Sequence, residues 1–396
     1  MRRILSLLVP ILSLLIAASS CQPAQRAPLS AADSTLYRAC HYLWQQQSED
    51  GAWHSQTHAL MRGGESMTPF VAWALFNVPD SIYDPGQEKK AKALDYLRQH
   101  INAEGIMGLG DPDIMEYPNY STAYTLRVLR KFGTPSDQPM LTKMTSYLLA
   151  QQFTEHRGIL PDHLAFGSWG FGEKLHKDSI TGHVDLSVTR RVLEALPPSS
   201  NDETGGPAFS AQRFLSLLQK RPEETRLQPN HAGAVGLQPL YDGGFYYSPV
   251  ATNGNKAKQE PADSTHAAYY RSYATATCDG ILALLASGFT ADEPPVKDAL
   301  NWLERHPELD RPGGIPVDDP DEWHLVMKYY HLCVRSEALG AVDAPGTWRK
   351  DIPAIWVSEQ LPDGSFSNPL GARNKEDDPM LATAFAVISL RICRER

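Results

Sequence analysis

Gln45-Gln46-Gln47-Ser48-Glu49-Asp50-Gly51-Ala52-Trp53 follows Tyr42-Leu43 and leads, after a loop, into Thr68-Pro69-Phe70-Val71-Ala72-Trp73-Ala74-Leu75-Phe76. An apolar helical segment, a glycine turn with an aromatic soon after it, and a second helix rich in Ala and Leu make one unit. The closest second copy is at the other end of the chain. There Trp356-Val357-Ser358-Glu359-Gln360-Leu361-Pro362-Asp363-Gly364-Ser365-Phe366 precedes an apolar run from Pro379 to Leu390.

Four more copies lie between. The second runs from Leu94 through Gly105 and resumes over Ser121–Leu129; the third runs from Tyr147 to Gly158 and resumes over Asp185–Leu196. A fourth begins at Phe214, turns at Asp242-Gly243-Gly244-Phe245 and resumes at Tyr273, and a fifth begins at Leu300, turns at Gly313-Gly314 and resumes at Trp323. Paired helices repeated about every 50 residues build either an open solenoid or a closed ring. An open array needs polar caps, whereas here the terminal copies carry apolar second helices. The spacing therefore predicts an all-α ring, an (α/α)6 toroid over 33–396. Ring closure brings Cys40 and Cys393 towards each other, which admits a disulfide or two free buried thiols. The polar stretches Pro197–Pro207 and Pro249–Ala268 read as insertions, the kind of loop that forms a lid, a binding loop or nothing ordered.

The first residues have another purpose. Met1-Arg2-Arg3, an apolar run to Ala18 and small residues before Cys21 have the layout of a bacterial export signal over 1–20. Ala18-Ser19-Ser20-Cys21 resembles a lipobox, which implies acylation of Cys21, a tether over 21–32, and anchorage in the lipid membrane of the cell envelope, facing the periplasm. A net charge of -9 with no Lys/Arg cluster excludes a nucleic-acid surface. No Cys-x-x-Cys pair is present, and neither a metal nor a cofactor is expected.

Gln46 to Trp53 resembles the Gln/Trp repeat of squalene and oxidosqualene cyclases, with Gln360 to Phe366 a variant carrying Phe. The resemblance covers nearly the whole mature chain and extends to protein prenyltransferase β subunits. Through Asp185-Leu186-Ser187, Gly243–Ser248, Arg271-Ser272-Tyr273 and Tyr329-Tyr330-His331 the chain is most similar to bacterial prenyltransferase/squalene oxidase repeat proteins. That likeness implies glutamines bonded to backbone at helix ends and Trp53, Trp169, Phe245 and Phe366 as packing aromatics. It transfers no complete chemistry. Asp185 matches the middle of the cyclases' acidic motif without its flanking acids, and Arg271-Ser272-Tyr273 stands where prenyltransferases carry zinc-binding Asp and Cys.

Polar residues near the starts of second helices are the candidate site residues, since those ends face a ring's cavity. Asp185, Asp279, His331, His183 and Tyr330 are the catalytic candidates; Tyr273, Arg271, His324, Lys328 and Asp378 are the binding candidates. Each has a structural alternative: Asp185 and Asp378 as helix caps, His331 as a core histidine. Asp279 lies inside an apolar segment and needs a partner, for which Arg271, Lys328 or His331 are available. Tyr269, Tyr270, Tyr273, Tyr329 and Tyr330 read as cavity lining. The leading expectation is a cavity that binds or acts on an apolar, isoprenoid-like ligand. The alternatives are a non-catalytic scaffold, or a carbohydrate-active enzyme using two of Asp185, Asp279 and Asp378 as facing carboxylates.

Overall fold

The computed structural model describes residues 29–172, 181–197, 206–226 and 237–394. The expected signal, Cys21 and the tether up to residue 28 lie outside the described residues, as do 198–205 of the first insertion. In chain order the helices are α1 (Ala31–Gln45), α2 (Met67–Phe76), α3 (Gln87–His100), α4 (Pro118–Phe132), α5 (Gln138–Ala150), α6 (Leu186–Ala195) and α7 (Pro207–Leu218). They continue as α8 (Ala274–Ala286), α9 (Pro294–Arg305), the one-turn α10 (Trp323–Val326), α11 (Lys328–Ala341), α12 (Trp348–Glu359) and α13 (Pro379–Arg394). The second insertion carries a two-residue hairpin, β1 (Gln259–Glu260) against β2 (Tyr269–Tyr270), with Gln259 opposite Tyr270.

Burial sorts these helices into two layers. In α2, nine of ten residues are buried, and a helix apolar on every side must be enclosed by others. In α9 only Pro295, Val296, Ala299, Trp302 and Leu303 are buried, a single stripe facing inward. The inner layer closes on itself: α2 packs on α4, α4 on α6, α6 on α8, α8 on α11, α11 on α13, and α13 again on α2. At the seam, α1 packs against both α12 and α13. The chain is an all-α toroid.

One device recurs at the turns. Gln47, Gln152, Gln219 and Gln360 each donate Nε2 to two carbonyls, one on the unit's own turn glycine and one near the start of the next outer helix. The acceptors are Gly51 and Lys89, Gly167 and Pro207, Gly243 and Pro295, and Gly364 and Thr35, all 2.8–3.0 Å away. The last of these joins the sixth unit to the first. Two residues beyond each turn glycine, the backbone N–H of Trp53, Met107, Trp169, Phe245 or Phe366 donates to a threonine of its inner helix: Thr68, Thr122, Thr189, Thr277 or Thr383. Trp53 and Trp169 also donate Nε1 to Leu43 and Leu148 of their outer helices. Each tryptophan satisfies a last-turn carbonyl of the kind a helix end leaves unpaired, and each glutamine ties its turn to the start of the next outer helix.

The position of one turn needs correcting. The packed turn of the third unit is at Gly167, not Gly158: a β-carbon on Gly167 would meet the carbonyl of Ser210 on α7, whereas one on Gly158 would meet nothing within 4 Å. Gly314 backs onto Ser272 and Tyr273, at the start of α8, instead of onto an outer helix. Cys40 and Cys393 are free buried thiols, as are Cys278 and Cys333.

Candidate functional site

On the axis of the ring, at the N-terminal ends of the inner helices, lies a cavity of about 380 Å³. That is within the roughly 300–1,000 Å³ span of small-molecule sites. Phe70 of α2, Tyr120 of α4, Ala276 of α8, and Leu381 and Phe385 of α13 form apolar walls, with Trp323 and Phe171 higher up. Asp279 is the only carboxylate lining it among the described residues.

Asp279 is fixed from two sides: Arg190 of α6 donates Nη1 to Oδ1 at 2.9 Å, and Tyr330 of α11 donates its hydroxyl to Oδ2 at 2.7 Å. Burial pushes the Asp279 carboxyl above its usual range despite the charges of Arg190 and Arg191. These contacts belong to a charged layer under the cavity. Arg190 also reaches Glu194 and Glu337, each at 2.8 Å. Arg191 bonds Glu337 twice at 3.2 Å, and Arg127 pairs with Glu194 at 2.6 Å. Three guanidinium groups thus balance three carboxylates. A second hollow, lined by Arg127, Arg190, Glu194, Glu337 and Arg349, lies on the far side of that layer.

His183 and Asp185 form the second polar group. Asp185 is the N-cap of α6: its Oδ1 accepts from the Val188 amide at 2.8 Å and the Ser187 hydroxyl at 3.0 Å, and its Oδ2 lies 2.8 Å from His183 Nε2. Burial works to raise the Asp185 pKa, but His183 and the Val188 amide outweigh it and hold the carboxyl below its usual range. The His183 ring stacks on Phe171 with centroids 4.2 Å apart and faces the cavity.

The structure therefore brings together His183, Tyr273, Asp279 and Tyr330 on the cavity, with Asp185 directly behind His183. The other candidates lie elsewhere. His331 donates Nε2 to the Glu308 carbonyl at 2.9 Å, linking α11 to its own turn. Burial, helped by the charge of Arg335, lowers its pKa to about 3, so it stays neutral and off the cavity. Arg271 pairs with Glu260 across the hairpin, Lys328 with Glu359 of α12, and His324 is on α10 away from the lining. Asp378 caps α13, accepting from the Met380 and Leu381 amides and from the Ser55 hydroxyl. None of the three partners expected for Asp279 is used. Of the tyrosine set only Tyr273 and Tyr330 line the cavity; Tyr329 packs on Trp356, and Tyr269 and Tyr270 form β2.

Arg190, Arg191 and Glu337 could have been found by the signal that exposed Asp279, a charge inside an apolar inner helix. Glu376 carries no such signal. It accepts from the Tyr329 and Tyr330 amides at 2.9 and 2.7 Å and from Asn368 at 3.0 Å, capping α11 from the sixth loop. Burial lifts its pKa from the ordinary 4.5 to about 7 against those hydrogen bonds. A folded state that holds this proton more tightly than the unfolded chain loses stability as pH rises through that window and levels off above it. The stability of the protein minus that of Glu376→Gln should fall by about 3 kcal/mol between pH 5 and 8. Denaturant titrations of both proteins would read this; a constant difference would refute it.

Among the described residues no group of three or more His, Cys, Asp or Glu side chains gathers to hold a metal ion. No family model matches the chain. Against solved structures it is similar to the type II terpene cyclase MstE from Scytonema. A variant in complex with geranylgeranyl dihydroxybenzoate matches at 14% identity and a TM-score of 0.56, covering 92% of this chain and 97% of that one. Another, in complex with merosterolic acid A, matches at 15% identity and 0.55, over 91% and 96%. A protein from Actinoplanes matches at 16% identity and 0.51, over 92% and 100%. In sequence, lanosterol synthase erg7A of Aspergillus fumigatus is 33% identical over 112 residues, which span 24% of this chain and 15% of that protein. The chain has the α/α-toroid fold of the terpenoid cyclases.

Proposed function

We propose that this chain is an envelope lipoprotein, anchored through an acylated Cys21, whose ring binds an apolar, isoprenoid-like ligand in its central cavity. The observation that carries the reading is the aromatic and aliphatic wall around a single buried carboxylate, Asp279. Ligand binding by the same fold supports it, since MstE holds a geranylgeranyl compound. Cyclisation started by protonating an alkene needs a strong acid in contact with the substrate. Asp185 is committed as an ionised cap, and Asp279 is a weakened acid held by Arg190 and Tyr330. Binding without that chemistry is the better fit. The paired-carboxylate reading has no support, because Asp185 and Asp378 are caps outside the lining.

The full chain, purified from membranes, should release an apolar lipid into organic solvent, detectable by mass spectrometry. Ala276→Phe, which fills the cavity from α8, should abolish it while leaving the helical circular dichroism unchanged. Cys21→Ser should move the protein into the soluble fraction. Extracts equally empty from both proteins, or equally loaded, would overturn the ligand reading; a Cys21→Ser protein still in membranes would overturn the anchor.

A further inference from the structure

We infer that the cavity takes an amphiphile with an anionic head, carboxylate or phosphate, gripped at the mouth by Lys256 and Lys375. The inference deepens the cavity reading above and rests on it. Both lysines line the mouth, and each ammonium lies over an aromatic ring of the lining: Lys256 Nζ is 3.8 Å from the Trp323 centroid, Lys375 Nζ 5.6 Å from that of Tyr117. Neither is in an ion pair among the described residues. In a chain with 46 acids against 37 Lys and Arg, two half-buried lysines without a carboxylate call for an anion from outside.

The carboxylates that could have served them are already engaged. Asp319 and Asp321 of the fifth loop hold Lys258, Asp321 also holds Arg373, and Asp185 faces His183. Those bonds tie the second insertion, which carries Lys256, and the sixth loop, which carries Lys375, to the fifth loop. Tyr117, Lys258, Glu322 and Lys375 all adopt positive φ around this opening, a conformation that costs non-glycine residues energy and collects at binding sites. Burial and the neighbouring charge of Lys258 lower the Lys256 pKa to about 8, which leaves it mostly protonated at neutral pH and ready to be neutralised. Below the lysines the walls are Phe70, Leu381 and Phe385, which suit a hydrocarbon tail.

The test is a comparison of three probes with one tail: farnesol, farnesoic acid and farnesyl phosphate, titrated into the full chain with the quenching of tryptophan fluorescence as readout. Both anions should bind at least about tenfold more tightly than farnesol. The advantage should disappear in Lys256→Met/Lys375→Met, where all three probes bind within about twofold of one another, and return in Lys256→Arg/Lys375→Arg. Raising the salt concentration should weaken the anions and spare the alcohol. Equal affinity for all three probes, or an advantage that survives the methionine variant, would overturn the head-group assignment and leave the cavity reading standing. If none of the three binds, both fall together.

Discussion

Arg190→Met should lower stability by about 3–5 kcal/mol. The Arg190 side chain is buried and bonds three carboxylates, Asp279, Glu194 and Glu337. Methionine would occupy much of the same volume yet leave those acids facing Arg191 and Arg127 alone, one positive charge short in a largely buried layer. Removing one member of a buried ionic group exposes the full cost of having desolvated the rest. The melting temperature should drop by about 4 to 6 °C. Arg190→Met/Asp279→Leu should recover part of the loss, since it removes one stranded charge. A single variant that melts within a degree of the parent would show that the layer contributes nothing as a network.

Gly167→Ala should cost about 3 kcal/mol or more, through the backbone rather than through charge. At φ +89 the residue already sits where a β-carbon is disfavoured, and that carbon would lie 1.8 Å from the Ser210 carbonyl oxygen. Both are backbone positions, so no side chain can swing away. Gly158→Ala is the matched control: its φ is +76, but nothing stands within 4 Å. It should cost only about 1 kcal/mol, the conformational share alone. Chemical denaturation of the pair separates conformational strain from helix-to-helix contact. Equal losses would mean that the turn does not seat on α7 as described.

That contrast also shows where the sequence was legible. The first and last turns could be read directly, because Gln47 and Gly51, like Gln360 and Gly364, are four residues apart and their aromatic follows two later. In the third and fourth units the same contacts form between Gln152 and Gly167 and between Gln219 and Gly243, with intervening loops that hide the pattern. Gly158 passes for the turn in sequence because a glycine soon after a Gln pair looks identical until the next helix is in place. His331 and Asp378 resembled site residues for a related reason: an acid or histidine at an inner helix start has one appearance as a cap and another as a ligand, and only its neighbours distinguish them.

Sequence alone determined that six helix pairs with apolar second members must close on themselves, because period and apolarity are local properties and burying both faces leaves one arrangement. Tertiary structure decided which charges meet. Asp279 found Arg190, 89 residues away, instead of Arg271, Lys328 or His331, all nearer in the chain, and Lys256 and Lys375 reached one mouth from separate loops. Electrostatic partnership depends on distance through space, and a ring sets those distances only when its last helix has packed against its first.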